Sequence, residues 1–162
     1  MPEKSGKGFD MDEEMWHEEK LSLFRKNFPF FEKMYSGLAL NNMRIEEIRK
    51  RLNTSGSEDV NSKLLAFFLG TIEGDFCSIL DPKTTPRSEI MTLVGKLYSY
   101  FLIKDRVIKN DSEYTYYMEK ANEAVAPENE WFRECGVLAG GFDLEDKNIY
   151  WESLEKEIKS LL

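Results

Sequence analysis

The sequence predicts an all-α domain of six to eight helices built around one central apolar helix over residues 57–80. Three observations carry this. Apolar residues recur at three- and four-residue spacing along most of the chain. The breaks between those runs are short clusters of Pro, Gly, Asn and Ser. One segment, Ser57 to Leu80, is apolar nearly all round, as a helix at the centre of a globular protein is. The 162 residues suffice to bury such a core, and residues 10–162 read as one domain behind a flexible tail at 1–9.

The first helix is expected to begin near Asp10 or Asp12, where acidic side chains complement the positive helix N-terminus. It gains an apolar face through Leu21, Phe24 and Phe28 and is interrupted by Pro29. Phe30, Phe31, Met34, Tyr35 and Leu38 continue at helical spacing, and Asn41-Asn42 is read as their end. A short third helix would then turn Ile45, Ile48 and Leu52 inward beneath an outer face of Arg44, Glu46, Glu47, Arg49, Lys50 and Arg51. Asn53 to Gly56 forms a loop, and Ser57 caps the central helix, with Glu58 and Asp59 in its first turn.

Within the central helix Ala66, Gly70, Gly74 and Ser78 recur every four residues. Glycine inside a helix costs about 1 kcal/mol, so this stripe predicts close approach of another helix. Asp81 to Pro86 breaks the chain, with Thr85 as the expected cap of a helix carrying Ile90, Val94, Leu97, Tyr98 and Phe101. Two readings stay open over 101–117: a helix capped by Asp111, which is favoured, or a small β-hairpin across Asn110-Asp111. Pro127 opens a short helix that Gly140-Gly141 ends, and a last helix spans roughly Asp146 to Leu162 with Leu154, Ile158 and Leu161 inward.

The formal net charge is −8, and it is unevenly distributed. The start of the chain, the stretch after Asp111 and the last twenty residues are acidic, whereas Arg44 to Arg51 and Lys96 to Lys109 are basic. Nonspecific nucleic-acid binding needs a surplus of Lys and Arg, which this chain lacks. Cys77 and Cys135 have neither zinc nor Cys-x-x-Cys spacing and read as reduced thiols of a cytoplasmic protein. The polar first eight residues do not resemble a signal peptide, and the longest apolar run, Leu64 to Leu69, is too short to span a bilayer.

Motifs for chemistry are weak. His17 is the sole histidine, and Glu14 with His17 makes one Glu-x-x-His pair where a di-iron bundle needs two. Gly6-Lys7 and Gly95-Lys96 are not followed by Ser or Thr, so neither is a phosphate-binding loop. Asp143 to Asp146 fails as a calcium loop because Asn148 stands where glycine is required. No catalytic residue, cofactor or metal is assigned, and the chain reads as non-enzymatic.

The remaining signal joins aromatic and acidic residues. Trp131 and Trp151, with Asp143, Glu145, Asp146 and Glu152, are the candidate partner-binding residues, in the pattern of aromatic anchors ringed by charge. Most aromatic residues of the last third are nonetheless expected in the core. The expected function is binding, and inhibition, of a basic, nucleic-acid-handling protein, in the manner of an immunity protein or a phage-encoded inhibitor. The alternative is a winged helix-turn-helix regulator. In that reading Arg44 to Leu52 is the first helix and the segment from Ser57 the second, with Glu58 and Asp59 unfavourably placed for phosphates.

Overall fold

A residue pattern that is apolar on every side can be satisfied only if helices cover every side, and α3 (Glu58–Ile79) is so covered. The computed structural model describes residues 11–54, 56–142 and 146–162. Among them lie seven α-helices and one 3-10 turn. Ahead of α3 come α1 (Met11–Asn27) and α2 (Phe31–Leu52). After it come α4 (Arg87–Lys104), α5 (Asp111–Ala124), the turn Pro127–Asn129, α6 (Glu130–Ala139) and α7 (Asn148–Ser160). Helices α2, α4, α5 and α6 all pack on α3, and α7 packs on α6. The expected tail over 1–9 lies outside the described residues.

The glycine stripe of α3 meets a second glycine pair on α6. A Cβ at Gly70 would overlap the Arg133 carbonyl oxygen and stand 3.0 Å from the Gly136 Cα. A Cβ at Gly136 would overlap the Phe67 carbonyl oxygen. The two backbones therefore touch, and no side chain larger than hydrogen fits between them. On the other sides Phe67, Phe68, Ile72 and Phe76 fill the core, with Phe68 packed on Tyr98 and Phe101 of α4. Phe24, Phe28 and Phe31 gather around Tyr100 where Pro29 separates α1 from α2.

Several local expectations need correction. Asn41-Asn42 does not end a helix. Helix α2 runs through it, because Leu38, Ile45 and Ile48 lie on one buried face and their burial outweighs the modest propensity cost of two asparagines. Thr85 does not cap α4; Pro86 holds that position, and the Thr85 amide donates instead to the Asp81 carbonyl at 2.8 Å. The cap of α5 is Asn110 rather than Asp111. Its Oδ1 accepts from the Glu113 amide at 2.9 Å, while the Glu113 carboxylate accepts from the amide of Lys109, one residue ahead of the cap, at 2.7 Å. Helix α5 runs from Asp111 to Ala124, and the hairpin over 101–117 has no counterpart: no strand occurs among the described residues. Leu161 lies past the end of α7 and is exposed, whereas Leu154 and Ile158 are buried.

Ser57 caps α3 as expected, its Oγ accepting from the Val60 amide at 3.3 Å. Both cysteines are free thiols; Cys135 is buried and Cys77 half-buried. Burial pushes both thiols up, Cys135 to about 11. No helix among the described residues is long and apolar enough to cross a membrane.

Candidate functional site

Folding pairs part of the basic middle of the chain with carboxylates distant in sequence. Arg106 grips Glu14 with two bonds of 2.9 and 3.1 Å. Lys104 and Arg25 both reach Glu32, at 2.5 and 3.1 Å, and hydrogen bonding, Lys104 foremost, holds that carboxyl down to about 2. Arg51 meets Glu155 of α7 at 2.5 Å. The arginine pairing also disposes of Glu14 as a metal ligand, and its neighbour His17 is buried, with its pKa lowered chiefly by desolvation. Among the described residues no group of three or more His, Cys, Asp or Glu is arranged to hold a metal ion.

The residues singled out from sequence do not form one surface. Trp131 is 47 % exposed, but Trp151 is only 5 % exposed. Trp151 is withdrawn into the core, edge-on to Phe67 at 4.8 Å with the Arg44 guanidinium 4.1 Å above its ring. Glu152 is exposed beside a shallow hollow between α2 and α7 that Arg44 and Arg51 also line. Asp146 is exposed and accepts from the Asn148 amide at 2.9 Å, a structural role at the start of α7. Asp143 and Glu145 lie outside the described residues.

What the fold assembles instead is a corner where α5 ends, the 3-10 turn follows and α6 begins. Asn129, buried, is its keystone. Its Nδ2 donates to Ser62 Oγ and to the Ala124 carbonyl, both at 3.0 Å, and its Oδ1 accepts from Lys63 at 3.2 Å. Lys63 also holds Asp59 at 2.9 Å, so the start of α3 and the turn ahead of α6 are tied together.

The glycine seam then sets the rotation of α6. With Phe132, Arg133, Cys135 and Gly136 turned inward, the outward strip is Glu130, Trp131, Glu134 and Leu138. Trp131 rests edge-on against Phe132 at 5.0 Å and otherwise faces solvent. Arg133 spends its guanidinium on buried Glu73 at 2.7 Å, leaving looser contacts of 3.6 and 3.9 Å to Glu130 and Glu134. Glu128 has no ion-pair partner among the described residues. On the other side of Asp59 an open cleft of about 620 Å³ lies between the start of α3, α4 and α5.

The acidic stretch after Asp111 contains Glu128, Glu130 and Glu134; sequence places Trp131 beside that stretch but assigns its partner-binding carboxylates to Asp143, Glu145, Asp146 and Glu152. The signal for the α6 strip was the inward set Phe132, Cys135 and Gly136, which leaves the intervening positions outward. In the helix-turn-helix alternative the second helix would be α3, which is buried from Ala66 to Phe76 and carries the carboxylates Glu58 and Asp59 at the open end that a DNA reader would turn toward phosphates.

No family model, no curated protein and no solved structure matches the chain, so its function is argued from this geometry alone.

Proposed function

We propose that this protein binds a basic protein partner through the corner around Trp131, and that it inhibits a nucleic-acid-handling partner by covering its basic surface. The observation that carries the reading is Trp131 itself: a half-exposed tryptophan amid Glu128, Glu130 and Glu134, on a helix whose other large aromatic is buried. Tryptophan is the residue most enriched among the few that dominate binding energy, and an acidic rim selects a basic counterpart. Charge complementarity of this kind speeds association and is weakened by salt.

The test is capture from the native host by the wild-type chain, in parallel with Trp131→Ala and with a Glu128→Lys, Glu134→Lys double variant, read by mass spectrometry. The expected result is a basic protein retained by the wild type, released by salt and lost from both variants. Retention of the same protein by both variants refutes the surface. A captured nuclease whose activity is unaffected by the protein refutes inhibition.

A further inference from the structure

The cleft beside this corner has its own chemistry. Resting on the reading above, we infer that it receives an arginine side chain of the basic partner, with the Tyr98 hydroxyl and the Glu58 carboxylate accepting from the guanidinium. A volume of about 620 Å³ is in the range of pockets that enclose a side chain or small ligand. Tyr98 lines the cleft from α4 and is 6 % exposed, and its hydroxyl has no hydrogen-bond partner among the described residues. The ring is buried while its hydroxyl, which is not among the buried unpaired polar atoms, opens on the cleft, so it offers a fixed acceptor to a donor that enters there. Tyr116 and Tyr117 of α5 add ring surface, and planar guanidinium stacks on such rings better than ammonium does.

The charge of the lining chooses a cation. Arg49 is already held, its Nε donating to Asn61 Oδ1 at 2.8 Å and its Nη1 to Glu46. Lys120 stands 3.6 Å from Glu123 and 5.5 Å from the centre of the Tyr116 ring. Asp59 is answered by Lys63. Glu58 alone has no countercharge among the described residues. The lining carries three carboxylates, Glu58, Asp59 and Glu123, against two cations, Arg49 and Lys120; Asp59 and Glu123 are themselves paired, so the unanswered charge an entering group meets is that of Glu58. The cleft and the Trp131 corner are linked through Asp59, Lys63 and Asn129, so a basic partner broad enough to span that link would engage both.

The test is a titration of the full chain with N-acetyl-arginine-N-methylamide, followed by amide shifts in NMR. Saturable shifts around Tyr98, Tyr117 and Glu58 are expected, with a Kd on the order of 1–10 mM for one unassisted side chain. Tyr98→Phe removes a hydroxyl that holds nothing in the fold, and Glu58→Gln removes one exposed charge. Each is expected to weaken binding about fivefold or more, as losing an acceptor for a charged donor does. Equal shifts with the capped citrulline analogue, the neutral isostere, overturn the inference. So does the lack of saturable shifts with arginine up to about 50 mM, far above the expected range, and so does saturation of the same amides by inorganic phosphate. Trp131→Ala separates this inference from the broader one: it is expected to abolish capture of the partner and to leave the arginine titration unchanged.

Discussion

Asp75→Asn is expected to stabilise the protein, and to do so in a pH-dependent way. Asp75 sits near the C-terminal end of α3, buried beside the end of α6, where it accepts one hydrogen bond from the Gly141 amide at 2.9 Å. Lys147 lies near enough to attract it but donates to the carbonyls of Leu138 and Gly140. Desolvation wins over both helpers and raises its pKa from 3.8 to about 6. A rise of roughly two units corresponds to about 3 kcal/mol against the charged form. Because the folded value lies above the unfolded one, the contribution of Asp75 to stability is complete below about pH 4. It is lost as pH rises through about 6. Asparagine keeps an acceptor for Gly141 and carries no charge. Urea unfolding at pH steps from about 4.5 to 8, read by far-UV circular dichroism of the helices, should show the variant gaining on the wild type as pH rises. The gain should level off near 3 kcal/mol above about pH 7. A difference that does not change with pH, or one that shrinks as pH rises, would refute a buried and largely unaided carboxylate.

Gly70→Ala should destabilise by about 3 kcal/mol or more because its Cβ overlaps the Arg133 carbonyl. Gly95→Ala, with open space around it in α4, should stabilise by about 0.5–1 kcal/mol; equal effects in denaturant unfolding would contradict the seam. Glu73→Ala should cost about 3–5 kcal/mol by stranding buried Arg133, and a Glu73→Leu, Arg133→Met double variant should recover much of that loss; a double variant no better than the single would argue against desolvation as the cause. Phe68→Ala should cost about 3–5 kcal/mol in the same assay, and a loss below about 1 kcal/mol would remove α3 from the centre of the fold. Imidazole NMR should place His17 below its ordinary 6.5, so its neutral form adds stability above that value that is lost as pH falls through the folded pKa; a titration at or above 6.5 would contradict its burial.

The parts of the fold that were readable from sequence are those fixed by local pattern. The Ser57 cap, the all-round apolar run and the four-residue small stripe define α3 and announce a close neighbour from sequence alone. The identity of that neighbour was not readable. Gly140-Gly141 looks like an ordinary helix stop, and Gly141 does adopt a positive φ of 93°. Yet Gly140 also lies against Thr71 of α3, a tertiary role that leaves no trace in the sequence around it. The same limit governs the candidate site. Trp131 and Trp151 each precede an apolar helical face and an acidic neighbour, so local pattern treats them alike. Only the rotation of α6 set by its glycines, and the position of Arg44 on α2, send one outward and the other inward.

Charge shows the same division. Blocks of like charge lie far apart in the sequence. In the fold, α2 lies against α7 with Arg51 on Glu155 and Arg44 above Trp151, and Arg106 joins the α4–α5 turn to Glu14 of α1. Pairs a few ångströms apart cancel beyond a Debye length of about 8 Å at physiological salt, so these regions present little field to an approaching molecule. Exposed pairs of this kind add little stability either, about 0–1 kcal/mol each. The α5–α6 corner is different. Its one nearby arginine is committed to Glu73 inside the seam, and Glu58 and Glu128 have no countercharge among the described residues. A field that the protein does not cancel for itself is the field a partner meets. Reversing Glu152, beside two arginines, should therefore change association with a basic partner less than reversing Glu128, although both are single exposed carboxylates on the same chain.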